Sequence, residues 1–299
     1  MITFRHPLLA IGSLAAVLGA VTAAVHRLEP AEPVYEGFPL GYYLENQTYG
    51  DLRREREATE AIRAIGSNAV PPLLRILSQR ESQLSGALHD WVRHQRWGRG
   101  YPASLATRQR QALLACQALE SLAAPAIPAL AGLTGDPELA GHAVRALAFA
   151  GPQSFSILTN LVVTGLVEAR VEAAGDLRCF RGRTDLAPVL LRALKDPHPA
   201  VRARAADTLG VLHADAATVV PALTRCLSDD HGGVILSVIL GLRLFGAEAA
   251  AAGPALLPLR NNLDPTIRDA ADQTLHEIGW PAQTGAPPLA PGRREAEAD

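Results

Sequence analysis

The chain carries short apolar and polar stretches with the period of amphipathic helices, and one stretch shows the pattern most clearly. Residues 196–212 read DPHPAVRARAADTLGVL, in which Val201, Ala205 and Leu209 recur at every fourth position. This is the spacing of one helix face. Asp196, ahead of the apolar positions, is a typical N-terminal cap, and a proline in the first helical turn costs no hydrogen bond. The pattern predicts a helix with one buried face.

The same pattern returns in two weaker copies. DPELAGHAVRALAFAG begins at Asp136 and DPTIRDAADQTLHEIG at Asp264, 60 residues before and 68 residues after Asp196. Between these copies lie shorter Leu-rich stretches that open with a proline, and one degenerate copy, SFSILTNLVVTGL, lacks it. The prolines lie 60, 33 and 33 residues apart, at Pro128, Pro188, Pro221 and Pro254. A period of about 30 to 34 residues with two helices in each unit indicates an α-solenoid.

These stretches resemble the short HEAT-like repeats named for phycobilisome lyases, whose unit is similar to DPxVRxxAAxxLG followed by a helix with xxPxL. The resemblance covers residues 53–280. It implies an all-α fold, an α-solenoid (α-α superhelix) of about six to seven two-helix repeats, with an N-terminal hydrophobic helix ahead of it. We expect six full units and a closing helix. Their first helices are predicted to begin near Arg53, Arg108, Glu138, Glu168, Ala200, Gly233 and Thr266.

Two further features of the repeat predict contacts between units. Arg170, Arg202 and Arg268 share one position in the unit. We expect them to form a structural ladder with carboxylates or turn carbonyls of the adjacent unit. The small residues let neighbouring helix pairs approach closely. Glycines suited to the left-handed backbone that ends a helix are Gly66, Gly210, Gly246 and Gly279.

The ends of the chain differ from the repeat. Residues 1–28 are predicted to be a signal peptide or a signal-anchor helix, and residues 29–52 a linker and N-terminal cap. In this cap we expect Leu40, Tyr43 and Leu44 to cover the open end of the first unit. The last stretch, 281–299, is Pro-rich and then charged, and is predicted to be disordered.

An uncharged run at residues 7–25 is the reason for the membrane prediction. Its length is near the lower limit for a helix that crosses a bilayer. If it is retained, the protein is a single-pass protein of the cytoplasmic membrane with the repeats outside. If it is cleaved as a signal, the protein is secreted or periplasmic.

The segment from Gly37 to Leu44 adds a finer resemblance. It is similar to the Gly-x-Pro-Leu-x-Tyr-Trp-Leu segment that opens a group of exported bacterial HEAT-like proteins, which also carry an Arg-rich insertion after the first unit. Tyr43 stands where that group usually has Trp. The resemblance implies export of this chain as well.

An insertion at residues 80–107 interrupts the repeat between the first and second units. It is basic and aromatic, and Arg and Trp are the residue types that contribute most to interface energy. We therefore predict a partner-binding role for Arg93, Arg96, Trp97 and Arg99. One alternative is a cap on the end of the array, with the tryptophans packed inward. A weaker alternative is binding of an anionic polymer or lipid headgroup through the arginines.

No catalytic, metal or cofactor site is predicted. Deoxyhypusine hydroxylase is similar at the level of the repeat, but it holds a di-iron centre on repeated His-Glu pairs, and this chain has one such pair, His276-Glu277. The three cysteines fit no disulfide or metal spacing. We expect all three to be small buried hydrophobic residues, Cys116 and Cys179 on first helices and Cys226 on a second helix. The net charge of −2 argues against a nucleic-acid partner.

Taken together, the sequence predicts a non-catalytic protein–protein interaction scaffold, exported or membrane-tethered, that binds another protein along a concave face formed by its second helices. The alternative is a HEAT-like enzyme or enzyme subunit of the lyase or oxidoreductase type, which rests on the family resemblance alone.

Overall fold

A computed structural model of the chain describes residues 31–47, 51–80, 103–183 and 185–280. The hydrophobic run 7–25, the insertion residues 81–102 and the tail 281–299 lie outside these ranges. The predictions made for them therefore stay predictions.

The described chain is a stack of helices preceded by a short hairpin. The hairpin pairs β1 (Val34–Tyr35) with β2 (Phe38–Pro39) in antiparallel register. The helices are α1 (Leu40–Asn46), α2 (Leu52–Ile65), α3 (Val70–Leu77), α4 (Leu105–Leu119), α5 (Ile127–Leu133), α6 (Ala140–Phe149), α7 (Phe155–Thr164), α8 (Val167–Asp176), α9 (Leu186–Ala193), α10 (Pro199–Leu212), α11 (Ala216–Cys226), α12 (Gly232–Leu244), α13 (Gly253–Leu256) and α14 (Pro265–Glu277). Short 3-10 turns join them at Gly66–Ala69, Glu120–Ala126, Pro152–Ser154, Leu177–Phe180, Gly246–Ala252 and Leu257–Asn261.

These helices form the predicted repeats. In the described residues, six pairs run from α2/α3 to α12/α13, and α14 closes the array. The predicted starts fall within three residues of the observed ones. We call α2, α4, α6, α8, α10, α12 and α14 the first helices, and α3, α5, α7, α9, α11 and α13 the second helices.

The aspartates that open the repeats act as predicted in one copy and differently in another. The Asp264 carboxylate accepts a hydrogen bond from the Thr266 N–H at 2.8 Å and caps α14. Asp196 accepts from the His198 N–H at 2.8 Å, but His198 is the N-terminal cap residue and Pro199 opens the helix. Asp196 therefore shapes the turn before α10 and does not cap it.

The core runs continuously through the stack, and small residues set its spacing. Ala205 and Ala206 are fully buried where α10 meets its neighbours. Gly210 was predicted to end its helix, but α10 continues to Leu212. A Cβ on Gly210 would lie 2.7 Å from the Cα of Gly241 in α12. Gly210 therefore serves the close crossing of two first helices, and the prediction of a helix stop there was wrong.

The close packing is unequal on the two sides of the stack. Neighbouring first helices contact each other more extensively than neighbouring second helices do, most of all α10 and α12. We call these two sides the first-helix face and the second-helix face. The expectation that the second helices line a concave, partner-binding face stays a prediction.

Both ends of the array are covered. In α1, the side chains of Leu40, Tyr43 and Leu44 are buried against the first units, as predicted. The Tyr43 hydroxyl donates to the Tyr35 carbonyl at 2.8 Å and ties the hairpin to this helix. At the other end the Trp280 ring rests on Gly253, where a Cβ would overlap it.

One segment of the described chain, Leu105–Leu133, is long and apolar enough to cross a membrane. Its backbone turns at Glu120, which has a φ of 51°, so that it forms both α4 and α5. Leu119 and Leu130 of this segment are buried in the common core. The apolar character of this segment is thus explained by packing within the second unit.

The crossing at Gly210 gives a stability prediction. Gly210→Ala is expected to lower the free energy of unfolding by about 1–3 kcal/mol, because overpacking forces the two helices apart. Gly132→Ala is the matched control, since Gly132 is exposed in α5 with nothing within 4 Å of a Cβ. It should be neutral or stabilising by up to about 1 kcal/mol. Denaturant unfolding measures both, and a Gly210→Ala variant as stable as the wild type contradicts the crossing.

Candidate functional site

The four residues predicted to bind a partner, Arg93, Arg96, Trp97 and Arg99, lie outside the described residues. The base of their insertion is described. The Gln109 side chain donates to the Gln79 carbonyl at 3.0 Å, and Arg108 donates to the Gln79 side chain at 3.1 Å. Arg80 pairs with Asp136, at the start of the third unit. The two ends of the insertion are therefore held together at the edge of the array.

The predicted arginine ladder is present on the first helices of the repeats. Arg170 of α8 forms a bidentate pair with Asp196, at 2.9 and 3.0 Å. Arg202 of α10 forms the same pair with Asp229, at 2.8 Å for both bonds. Each carboxylate belongs to the turn that opens the next unit, so each pair ties two units together. Bidentate pairs of this kind fix geometry as well as charge.

Arg268 has the same repeat position but no following unit. Its guanidinium donates to the carbonyls of Asn262 and Leu263, at 2.8 and 3.1 Å. These carbonyls belong to the turn before its own helix. The prediction of partners in the adjacent unit is confirmed for Arg170 and Arg202, which pair with carboxylates of the next unit. Arg268 instead bonds to turn carbonyls of its own unit.

A groove opens between the first helices α6 and α8. It has a volume of about 490 Å³ and is lined by both polar and apolar side chains. Gly141 is part of this lining, and a Cβ there would lie 3.7 Å from the Glu172 side chain. Its lining residues are Pro137, Glu138, Gly141, His142, Arg145, Val167, Glu168, Val171, Glu172 and His198.

Three charged side chains organise one end of this groove. Arg145 hydrogen bonds to Glu172, and its Nε lies 3.6 Å from Asp176 Oδ2. Asp176 is only 4% exposed, and in the described structure its Oδ2 accepts no hydrogen bond. Burial raises the pKa of the Asp176 carboxyl, although Arg145 acts in the opposite direction. Burial, assisted by Arg145, lowers the pKa of His142.

Sequence reasoning did not single out Asp176, although the repeat contained a signal. It lies six residues after the ladder arginine, and the equivalent residues after Arg202 and Arg268 are Thr208 and Thr274. Both threonines are buried, 2% and 0% exposed. A charged residue at a buried repeat position was the available indication of an unusual site.

The chemistry of the groove is that of a surface that receives polar and apolar side chains. The lowered pKa of His142 favours its neutral form, in which the ring offers one donor and one acceptor. Among the residues that the structure describes, no group of three or more His, Cys, Asp or Glu side chains could hold a metal ion. His276 and Glu277 lie at the end of α14.

One of the three cysteines follows the prediction in full, and Cys226 follows it in its helix but not in its burial. Cys116 is buried in α4, and burial raises its pKa to about 12. Cys226 is half-buried at the end of α11. Cys179 is exposed, contrary to the expectation, because α8 ends at Asp176 and the following 3-10 turn carries Cys179 outward.

Comparison with known proteins agrees with this architecture. A family model described as HEAT repeats matches residues 157–243 and 187–276. The chain therefore contains HEAT-like repeats, as its sequence predicted. Among curated proteins, no sequence matches it significantly.

Several solved structures are similar to the chain at low identity. An engineered protein from a structural genomics consortium has 17% identity and a TM-score of 0.44, covering 80% of this chain and 96% of its own. A designed armadillo repeat protein has 17% identity and a TM-score of 0.39, covering 70% and 99%. Human deoxyhypusine hydroxylase in complex with glycerol has 15% identity and a TM-score of 0.34, covering 80% and 96%. At such low sequence identities and TM-scores, these similarities support no inference about activity.

The ladder predicts a pH-dependent loss of stability. Arg202→Gln is expected to cost about 2 kcal/mol at neutral pH, because it removes charge-assisted hydrogen bonds from a half-buried carboxylate. Arg202 lowers the pKa of Asp229. The stabilisation is therefore complete above the ordinary aspartate pKa of about 3.9 and is lost as the pH falls through the lower folded-state value.

Arg268→Gln is the control for this prediction, since Arg268 bonds only to carbonyls that do not titrate. Thermal unfolding between neutral pH and about pH 3 should show the deficit of the Arg202 variant shrinking and that of the Arg268 variant unchanged. Deficits that change equally in the two variants contradict a role for the Asp229 charge.

Asp176→Asn gives a prediction of opposite sign. The folded-state pKa of Asp176 is raised, so its ionisation at neutral pH opposes folding, and this opposition fades as the pH falls toward the ordinary value. The Asn variant should be more stable than the wild type at neutral pH and equal to it below about pH 4. A less stable Asn variant at neutral pH would show that the attraction of Arg145 outweighs the cost of burial.

Proposed function

We propose that the protein is a non-catalytic scaffold for protein–protein interaction, exported or tethered to the cytoplasmic membrane. The observation that supports the scaffold most directly is the groove between α6 and α8. Most of its polar and apolar side chains are carried by these two helices, with Pro137, Glu138 and His198 in adjoining turns, so a partner meets a preformed surface. Solenoids use the extended surfaces of their stacked repeats to bind partners.

The insertion supplies a second contact in this proposal. Arg93, Arg96, Trp97 and Arg99 remain its predicted partner-binding residues. Support comes from the clamped base at Gln79 and Gln109, which brings the two ends of the insertion together beside the second unit.

The proposed location rests on the hydrophobic run 7–25. If this run is retained as an anchor, few residues separate it from the described hairpin, which begins at Val34. The repeat array is then held close to the outer surface of the membrane. Cleavage of the run instead gives a secreted or periplasmic form of the same scaffold.

The enzyme alternative, a HEAT-like lyase or hydroxylase, is supported by the family resemblance alone. Iron in stoichiometric amount, or a coloured or bilin-type ligand on the purified protein, would favour it. Within the described ranges, the chemistry of the groove is accounted for by polar contacts and by the pairs around Arg145.

A crosslinking pull-down from native membranes tests the scaffold. The wild type is expected to capture one defined protein. A folded triple variant, Arg93→Ala with Trp97→Ala and Arg99→Ala, should lose most of it. Gly141→Gln should weaken capture by filling the groove, and Gly135→Gln should not, because Gly135 lies in an exposed turn with nothing within 4 Å of a Cβ.

The outcomes separate the two proposed contacts. Loss of capture in the Gly141 variant alone assigns binding to the groove, and makes the insertion an end cap. Loss in the triple variant alone assigns it to the insertion. If the wild type captures no defined protein, the scaffold proposal fails.

A further inference from the structure

The second helices have an unusual charge composition. The helices α3, α5, α7, α9, α11 and α13 contain no Asp or Glu, whereas acidic residues occur in the first helices α2, α8, α10 and α14. The basic residues of the second helices are Arg75, Arg192 and Arg225. The second helices therefore carry positive charge and no negative charge of their own.

The acidic residues nearest to α9 and α11 already have partners. Asp185, before α9, pairs with Arg183 at 2.8 Å. Asp215, before α11, accepts a hydrogen bond from the Thr218 hydroxyl at 2.6 Å. Asp229, after α11, belongs to the ladder pair with Arg202.

Arginines on the two faces of the stack are used differently. On the first helices Arg145, Arg170 and Arg202 are all engaged by carboxylates. In the part of the chain that the structure describes, the guanidinium groups of Arg192 and Arg225 make no hydrogen bond or ion pair, and both side chains are exposed. Their charge contributes nothing to the packing of the repeats and is available to a ligand.

These two arginines occupy one position of the repeat. Arg192 lies two residues after the buried Leu190, and Arg225 two residues after the buried Leu223. Asn160, exposed, has the same position after Leu158 in the unit before. Packed helices lie about 10 Å apart, and three residues of extended chain also span about 10 Å. The row Asn160, Arg192, Arg225 therefore has the spacing of every third residue in an extended peptide.

We propose that the exposed side of the second helices α7, α9 and α11 binds an extended acidic segment of a partner protein. Arg192 and Arg225 each pair with a carboxylate, and the carboxylates are three residues apart. The Asn160 amide, a donor and an acceptor, meets the backbone of the same segment. This inference rests on the proposed scaffold function and names the chemistry of a partner for it.

A protein partner fits this face better than an anionic membrane surface does. Electrostatic attachment to anionic lipids takes a cluster of about four to eight basic residues. The second helices offer two adjacent arginines and, several units away, Arg75. Two charges at a fixed spacing suit two carboxylates on one chain.

The test uses the full chain and a labelled short peptide of Ser, Ala and Gly with Glu at every third position. Fluorescence anisotropy should show tighter binding of this peptide than of one with the same composition and contiguous Glu residues. Arg192→Gln with Arg225→Gln should weaken binding about tenfold, the loss of two exposed ion pairs. Arg192→Glu with Arg225→Glu should abolish it and favour the corresponding Lys peptide.

The matched control removes the same amount of charge from two first helices. Arg110→Gln with Arg204→Gln, both on exposed side chains of first helices, should change binding less than twofold. Because Arg192 and Arg225 have no partners in the described structure, their Gln variants should unfold at the wild-type temperature.

Three results would overturn the inference. The first is that both double variants weaken peptide binding equally. The second is that the protein binds the spaced and the contiguous Glu peptides equally well. The third is that vesicles with phosphatidylglycerol capture the protein through Arg192 and Arg225 while the peptide does not bind. If the pull-down partner is still captured in full by the Arg192/Arg225 variant, the scaffold stands and this site fails. If no partner is captured by the wild type but the peptide binds as expected, the scaffold proposal fails while the site stands.

Discussion

The structure depends on one constraint, which is that no helix pair of this chain can bury its apolar face without a neighbour. The units therefore have to approach closely, and small residues on the first helices make this possible. At Gly210 and Gly241 the two backbones are in contact, with no room for a Cβ. Neighbouring first helices therefore contact each other more extensively than neighbouring second helices do, which makes the two sides of the stack different.

The distribution of charge follows from the same packing. An arginine on a first helix reaches the turn of the next unit, so Arg170 and Arg202 are held by Asp196 and Asp229. The second helices contain no carboxylate of their own. In the described structure, Arg170 and Arg202 therefore serve cohesion, whereas Arg192 and Arg225 on the second helices make no hydrogen bond or ion pair.

Asp176 is the exception within this scheme. Its repeat position is buried, and the equivalent Thr208 satisfies its hydroxyl on the Ala174 carbonyl at 2.8 Å. A carboxylate cannot donate in that way, so Asp176 relies on Arg145 at 3.6 Å and stays poorly solvated. A costly residue next to the groove between α6 and α8 is consistent with selection for something other than stability.

The sequence by itself determined the repeat architecture, the helix starts and the arginine ladder. These follow from local rules, since caps, prolines and the period of apolar residues act within one unit and recur in phase. Only the tertiary structure decided that Gly210 serves a helix crossing, that Asp176 is buried beside Arg145, and that Cys179 is exposed. Each of these depends on how far neighbouring units approach, which no spacing within a single unit encodes. The contact surfaces belong to the same class, because their side chains meet only when units are stacked.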